Sequence, residues 1–300
     1  MHRPRGVFAG LATLDVIHRV DAPPGADEKI TALSQFVAAG GPAANAAVTF
    51  AALGGHAVLL TALGCSPIAR AISTELTEHG VEVIDVAPDL EGGAPVSAVT
   101  VLAATGERSV VGGDAAGIRA PAPAPQLVRE MLTGAEVVLL DGHHPELARA
   151  VLSAAQEDRL PTVLDAGRWK PVMEELVGAA TDVVASADFR TPGAATSRAT
   201  AAELVARGAR AAVTTAGPDP VCWWSGEAQG AVEVPQVRAV DTLGAGDVFH
   251  GAYAYALATG LDLDGRIAFA AEVAATRCVM VGPRSWLSAI AEVPLGRGQR

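Results

Sequence analysis

Hydrophobic positions along the chain alternate between short, continuously apolar runs and longer segments with helical periodicity. The short runs are typical of buried strands and the longer segments of amphipathic helices. The first predicted element is a strand over 7–11. Four pairs of a strand and a following helix come next: 56–60 with 68–78, 137–140 with 145–156, 162–164 with 172–177, and 183–185 with 199–207. A strand over 211–214 and a last long helix over 265–281 complete the pattern. This alternation predicts an α/β protein whose parallel central sheet is covered by helices on both faces.

Four other segments alternate apolar and polar residues without a helical segment of their own. In chain order they are 13–21, 29–39, 95–105 and 109–111. Alternation of this kind predicts strands that bury one face. We therefore expect a small antiparallel sheet drawn from approximately 12–39 and 94–113, inserted into a single domain that spans 1–300.

A glycine-rich turn, Asp241-Thr242-Leu243-Gly244-Ala245-Gly246-Asp247, joins an extended run over 231–240 to a predicted helix over 248–257. The free N–H groups of a first helical turn and the positive end of the helix dipole attract phosphate, and Gly244 and Gly246 leave those amides uncovered. Asp247 would then lie beside the phosphoryl group, where it could accept a proton from an attacking hydroxyl. The alternative is a turn in which Asp247 only caps the helix.

A second glycine motif, Gly40-Gly41-Pro42-Ala43-Ala44-Asn45, opens a predicted helix over 42–53. Small residues and a final pair of glycines suit a closely packed helix with a glycine stop. Asn45 lies one turn after Gly41, so its amide can face whatever approaches the glycines. Asparagine is mildly unfavourable within a helix, and this favours a functional role for Asn45.

Several polar residues follow predicted strands, at the edge of a parallel sheet where ligands bind. They are Asp141, Asp165, Ser186 and Thr215. His143 and His144 next to Asp141 suggest a metal site, but adjacent histidines project differently and no third ligand has a recognisable spacing, so a loop is favoured and no metal ligand is assigned. Asp15, after the first strand, is interpreted from its position alone as a strand-end or turn carboxylate.

Composition narrows the class of protein. A net charge of −11 and a pI near 5.1 argue against a nucleic-acid-binding surface, and three cysteines without C-x-x-C spacing suggest neither a disulfide framework nor a zinc site. We see no signal peptide and no apolar run long enough to span a membrane, so we expect a cytoplasmic protein. The P-loop, protein-kinase and dinucleotide-binding motifs are absent as well.

The two glycine motifs together resemble the paired signatures of the ribokinase-like sugar kinases, the PfkB family, and the resemblance covers nearly the whole chain. It implies that the early motif faces the sugar, that the late motif forms an anion hole with the catalytic base, and that the small sheet is a lid. The implied catalytic residues are Asp247 with Gly244, Ala245 and Gly246. The implied sugar-binding residues are Asp15, Gly40, Gly41, Asn45 and Asp141, and the implied nucleotide-binding residues are Ser186, Thr215, Gly217, Asp241, Thr242 and Gly244.

The resemblance further implies an ATP-dependent kinase acting on a primary hydroxyl of a small sugar, with ATP and Mg²⁺ as cofactors and a monovalent cation as a further candidate. The stretch over 269–282 is most similar to ketohexokinases. Two features depart from family patterns: Pro42 replaces a polar residue found in ketohexokinases, and the N-x-x-E motif linked to magnesium is absent near 186–189. We also expect a homodimer formed through the lid, because Val96, Val99 and Val101 are apolar in a sheet too small to bury both faces.

Two alternatives remain open. A nucleoside kinase on the same fold would need an apolar slot for a base, and a chain with only 4% aromatic residues is a poor match for it. A catalytically silent sugar-binding protein would not need Asp247 and both of its preceding glycines. A fold alone does not determine the substrate, so ketose, pentose, sulfo-sugar and sugar acid are all candidates.

Overall fold

The computed structural model describes residues 2–115, 117–118 and 120–295. The strands are β1 (Arg5–Ala9), β2 (Thr13–Val20), β3 (Ser34–Gly40), β4 (His56–Thr61), β5 (Val81–Asp85), β6 (Val96–Leu102), β7 (Arg108–Gly112), β8 (Val137–Leu140), β9 (Thr162–Ala166), β10 (Asp182–Ser186), β11 (Ala211–Ala216), β12 (Asp219–Ser225) and β13 (Ala228–Val232). The helices are α1 (Pro42–Ala52), α2 (Pro67–Glu78), α3 (Pro125–Leu132), α4 (Pro145–Glu157), α5 (Met173–Leu176), α6 (Ser197–Ala206), α7 (Ala245–Ala258), α8 (Leu263–Cys278) and α9 (Leu287–Ile290).

The large sheet has nine strands in the order β13-β12-β11-β10-β9-β8-β1-β4-β5. All its pairs are parallel except those of β12 and β13 at one edge, which are antiparallel. One apolar cluster packs α1, α2, α7 and α8 on one face, and a second packs α3 to α6 on the other. The α/β prediction with helices on both faces is therefore confirmed. The carboxyl ends of β8, β9 and β10 lie side by side and bring Asp141, Asp165 and Ser186 to one edge.

The small sheet, which we call the lid, has four strands in the order β3-β2-β6-β7. Its two outer pairs are antiparallel, as predicted, and its central pair, β2 with β6, is parallel. Its inner face buries Ile17, Val99 and Val101 against Phe36 and Leu243. The expectation that Val99 and Val101 are available to a second subunit is wrong, because both valines share this inner face and are only 1% exposed.

The hydrophobic pattern located most elements but missed three and misplaced several ends. It did not predict β5, α3 or α9, and only the first two residues of the extended run over 231–240 lie in a strand. Helix α7 begins at Ala245, three residues earlier than predicted, and α8 ends at Cys278. Among the described residues no helix is long and apolar enough to cross a membrane.

Candidate active site

Asp241 shapes the loop between β13 and α7. Its carboxylate accepts hydrogen bonds from the amides of Leu243 and Gly282, both at 3.0 Å. The Arg277 guanidinium, at the end of α8, reaches the same carboxylate at 3.0 Å and also donates to the carbonyls of Asp241 and Met280. Arg277 and Asp241 are both buried. Asp241 thus holds the glycine turn in place and does not point at a nucleotide with a free oxygen.

The first turn of α7 presents uncovered amides. Gly244 is the N-cap and has a φ of +72°, a left-handed conformation that favours glycine. The amides of Gly244, Gly246 and Asp247 donate no hydrogen bond to any residue that the structure describes, whereas the Ala245 amide donates to the Thr242 carbonyl at 3.2 Å. A side chain at Gly246 would meet no atom within 4 Å. The turn therefore offers three amides to an anion, with Ala245 already engaged.

Asp247 lies in this first turn, and its Oδ2 accepts a hydrogen bond from Asn45 Nδ2 at 2.8 Å. Burial raises the pKa of Asp247 to about 6, with the nearby Asp165 carboxylate adding to the effect and the Asn45 hydrogen bond opposing it. A carboxylate with this pKa is ionised at neutral pH yet basic enough to take up a proton. The two glycine motifs, 202 residues apart, meet at this hydrogen bond.

Asp165 and His250 lie behind Asp247. His250 follows it by one helical turn, and the His250 Nε2 is 3.5 Å from Asp165 Oδ1 and 3.1 Å from the Val184 carbonyl. The His250 Nδ1 lies 2.7 Å from the Gly246 carbonyl. Sequence analysis placed Asp165 at the correct sheet edge but gave it no role, and it missed His250. These contacts fix the back of the first turn of α7 against β9 and β10.

Asp15 and the early glycines form the opposite wall. Asp15 is buried on the inner face of the lid, and its Oδ1 accepts a hydrogen bond from the Thr13 hydroxyl at 2.7 Å. Burial raises its pKa, and the hydroxyls of Thr13 and Ser97 partly offset that effect. A side chain at Gly40 would collide with the Asp15 carboxylate, and one at Gly41, where φ is +96°, would collide with the Leu11 carbonyl. These glycines permit close approach of backbone and carboxylate.

One pocket brings residues of both walls together. Its lining includes Asp15 from the lid, Asn45 from α1 and Gly244 from α7. The apolar part of the lining comes from Ile17, Ala39, Leu243, Val248, Pro283 and Trp286. The cavity is about 20 Å³, far smaller than the roughly 300–1,000 Å³ of small-ligand sites, so it marks where the two walls meet and does not enclose a whole ligand.

Asp141 is buried, and backbone amides use both of its oxygens. Its Oδ2 accepts from Leu11 at 2.8 Å and from Ala43 at 3.3 Å, and its Oδ1 accepts from His143 at 2.9 Å. Burial alone would raise its pKa, but the neighbouring His143 and Lys170 and these amides outweigh burial, and the pKa is lowered. Asp141 therefore joins the end of β1 to the start of α1, and we withdraw it from the proposed sugar ligands.

The remaining nucleotide candidates lie near the carboxyl edge of the sheet. Ser186 and Thr215 are register partners at the ends of β10 and β11, and their hydroxyls donate to the carbonyls of Gly167 and Ala185. Gly217 follows in a left-handed turn. Thr242 donates from both its amide and its hydroxyl to the Gly106 carbonyl in the turn between β6 and β7. The loop over 241–247, which we call the anion loop, is thereby connected to the lid.

Sequence analysis also missed Arg277 and Arg284. Arg284, which lines the pocket, contacts Asn45, Ala39 and Glu75. An arginine in the last turn of an apolar helix, such as Arg277, is explained by the helix dipole alone, so its pairing with Asp241 could not be inferred from the sequence.

Comparison with known proteins decides the family. The model of the pfkB family carbohydrate kinases matches residues 5–288. The chain belongs to the PfkB family of carbohydrate kinases. As a member it is an ATP-dependent carbohydrate kinase, a phosphotransferase with an alcohol group as acceptor.

Similar proteins extend over nearly the whole chain. Mouse (Mus musculus) ketohexokinase is 25% identical over 302 residues, covering 94% of this chain and 98% of the relative. The ribokinase of Bacillus subtilis is 26% identical over 290 residues, covering 95% and 96%. The structure of Arabidopsis thaliana ribokinase complexed with ribose and ATP superposes with a TM-score of 0.75 at 22% identity, covering 97% of this chain and 99% of that one. At that identity the last likeness shows the fold alone.

Proposed function

We propose that this PfkB kinase transfers the γ-phosphoryl group of ATP to a primary hydroxyl of a small sugar, with Asp247 as the general base. The observation that carries the proposal is the position of Asp247: it lies among the uncovered amides of α7, with a pKa of about 6, and is held by Asn45. Asn45 lines the same pocket as Asp15.

The reaction follows from this arrangement. The sugar hydroxyl oxygen attacks the γ-phosphorus and a new P–O bond forms, while the bond from the γ-phosphorus to the bridging oxygen breaks and ADP leaves with that electron pair. The hydroxyl proton passes to the Asp247 carboxylate. The amides of Gly244, Gly246 and Asp247 stabilise negative charge on the phosphoryl oxygens. Asp15 is suited to accept hydrogen bonds from sugar hydroxyls, and Gly40 and Gly41 allow the sugar to approach the backbone.

We place the nucleotide along the carboxyl edge of the sheet, past Ser186, Thr215 and Gly217, with its γ-phosphate at the turn over 241–247. Magnesium would neutralise charge on the phosphates. Within the described residues no three histidine, cysteine, aspartate or glutamate side chains are grouped to hold a metal ion. A monovalent cation is a further candidate cofactor.

We also propose a homodimer through the outer face of the lid. Val37, Val16, Ala98 and Val111 are consecutive register partners across all four strands. Val37 is 59% exposed and Val111 is 76% exposed, so this apolar row faces outward. A second lid packed on the row would remove it from water.

The decisive experiment measures ADP release with a panel of ketoses, aldopentoses, sulfo-sugars, sugar acids and nucleosides. The proposal expects a small sugar as the preferred acceptor and the phosphate on its primary hydroxyl, located by ³¹P NMR of the product. Potassium, sodium and Tris buffers measure the cation requirement in the same assay. A preferred nucleoside would establish the alternative kinase, and sugar binding without turnover by any acceptor would establish the silent protein.

A further inference from the structure

We propose that Arg284 is a positioning residue for the base: by holding the Asn45 side-chain oxygen, it fixes which atom of the Asn45 amide faces Asp247. The proposal rests on the proposed role of Asp247. No part of the hydrophobic pattern or of the two glycine motifs points to Arg284, which lies in the turn between α8 and α9.

Two hydrogen bonds in series carry the argument. Arg284 Nη1 donates to Asn45 Oδ1 at 3.2 Å, and Asn45 Nδ2 donates to Asp247 Oδ2 at 2.8 Å. A guanidinium can only donate and a carboxylate can only accept, whereas an amide has one acceptor end and one donor end. If the Asn45 amide were rotated, its NH₂ group would face the Arg284 guanidinium and its oxygen would face the Asp247 carboxylate, so neither hydrogen bond could form. Arg284 thus selects the orientation in which Asn45 donates to Asp247.

Arg284 is itself held firmly. Its Nε donates to Glu75 Oε1 at 2.8 Å, and its Nη2 donates to the Ala39 carbonyl at 2.6 Å and, more weakly, to Glu75 Oε2 at 3.5 Å. Nη1 also donates to the Pro283 carbonyl at 3.1 Å. Every guanidinium nitrogen is engaged in this way. Arg284 is therefore committed to orienting its neighbours, although it lines the pocket and could be mistaken for a substrate ligand.

Glu75, on α2, holds both Arg284 and the lid strand β3. Its Oε2 also accepts a hydrogen bond from the Ala39 amide at 2.7 Å. Ala39 belongs to β3, whose residues pair with the Asp15 region of β2. Arg284 therefore joins the lid strand, α2 and α1 at one point, and the position of the lid is connected through Asn45 to the base.

The consequence concerns the ionisation of Asp247. The groups that act on its carboxylate are Asp165 from β9, Asn45 from α1, His250 from α7 and Asp15 from the lid. Burial, Asp165 and Asp15 raise the pKa of Asp247, whereas Asn45 and His250 lower it. Without Arg284 the Asn45 amide can rotate, its hydrogen bond to the carboxylate is weakened, and the pKa rises.

The test is an NMR titration of the Asp247 carboxyl carbon in protein labelled with ¹³C-aspartate, with the resonance assigned by Asp247→Asn. We expect the midpoint in Arg284→Met to lie about one pH unit above that of the wild-type enzyme, since a hydrogen bond to a charged group contributes about that much. The acid limb of kcat/KM should move by the same amount. Arg149→Met is the control, because it removes exposed ion pairs with Glu146 and Glu175 on the opposite face of the sheet, and it should leave the Asp247 midpoint unchanged.

The same titration in the Asn45→Ala variant tests whether Arg284 acts on Asp247 through Asn45. If Arg284 acts through Asn45, Arg284→Met adds no further shift there. An unchanged midpoint in Arg284→Met overturns the proposal, and so does a full additional shift in the Asn45→Ala background. If Arg284→Met does not fold, Arg284→Lys and Glu75→Gln give the same comparison. We expect each to raise the Asp247 midpoint by a smaller amount. An unchanged midpoint in both variants would contradict the proposal. The titration needs no substrate, so a protein that phosphorylates no sugar would refute the proposed function independently.

Discussion

The pocket has two walls: the anion wall, formed by the loop over 241–247, and the sugar wall, formed by Asp15, Gly40, Gly41 and Asn45. One arginine holds each wall, and the two arginines have different roles. Arg277 pairs with Asp241, and the two side chains are 2% and 4% exposed. Arg284 pairs with Glu75, and those side chains are 14% and 22% exposed. Arg277 fixes backbone, because Asp241 holds the amides of the anion loop. Arg284 fixes a side chain, because it orients Asn45.

Because of this difference, we expect Arg277 to affect mainly the free energy of unfolding and Arg284 to affect mainly the ionisation of Asp247. A fully buried carboxylate that loses its arginine cannot be rehydrated, so damage at Arg277 should first appear as unfolding. Glu75 is partly exposed and can be solvated, so damage at Arg284 should first appear in the ionisation of the base. The anion wall is thus predicted to tolerate substitution less than the sugar wall, apart from Asp247 itself.

The largest effect is expected at the point where the walls meet. Asp247→Asn keeps the size of the side chain but cannot accept the hydroxyl proton, so kcat should fall roughly 10²- to 10⁴-fold. Folding should survive. The folded-state pKa of about 6 lies above the ordinary value of 3.8, so the wild-type protein loses stability as the pH rises through that interval. An asparagine never ionises, and at pH 7.5 the variant should melt at the same temperature as the wild type or higher.

Steady-state kinetics and thermal melts check both halves of this prediction. Wild-type turnover in Asp247→Asn would reduce the residue to a helix cap. A variant that melts much earlier than the wild type would assign Asp247 a structural role instead.

Arg277→Met should give the largest loss of stability. It leaves the Asp241 carboxylate buried without its partner, which costs about 3–5 kcal/mol of unfolding free energy. Urea denaturation measures this, with Arg210→Met as the control. Arg210 lies 3.8 Å from Asp182 but is 61% exposed, so its loss should cost about 0–1 kcal/mol. Equal losses in the two variants would show that Arg277 does not hold the anion loop.

The sequence predicted the parts of this site that depend on local chemistry. The glycine turn that leads into α7 follows from helix-terminus physics, and the alternation of strands with helices follows from hydrophobic periodicity. The arginines could not be predicted, because Arg284 reaches Asn45 across 239 residues of chain and nothing in its local pattern marks the contact. Asp141 was interpreted as a ligand because it follows a strand, yet three backbone amides occupy it.

On the sugar wall, Asp15→Ala should act on one substrate only. It removes a buried acceptor whose hydrogen bonds to sugar hydroxyls contribute on the order of 1–3 kcal/mol, so the sugar KM should rise about 10- to 100-fold. The ATP KM should hardly change, because the residues that we propose for the nucleotide, Ser186, Thr215, Gly217 and the turn over 241–247, all lie outside the lid strands. Initial rates with each substrate varied in turn distinguish the two. A raised ATP KM with a normal sugar KM would reverse the assignment of the walls.

The smallest effect on turnover is expected from the outer face of the lid. Val111→Lys places a charge at the exposed end of the apolar row that we propose for pairing two subunits, so multi-angle light scattering should change from a dimer to a monomer. The neighbouring Val110 offers a matched control, because it is 53% exposed and pairs with Val99 of the inner face. Val110→Lys therefore adds the same charge to the same strand on the opposite face, and it should leave the dimer intact.

Separation of the subunits should have little effect on the chemistry, because the apolar row touches neither wall of the pocket. The lid contacts the anion wall through Gly106 and Thr242 and the sugar wall through Ala39 and Arg284, and all four residues belong to one chain. Loss of the second subunit in Val111→Lys should therefore change kcat by only a few-fold at most. A wild-type protein that is monomeric at micromolar concentration and fully active would refute the proposed dimer, and a dimer lost equally in both lysine variants would show that the apolar row is not what pairs the subunits.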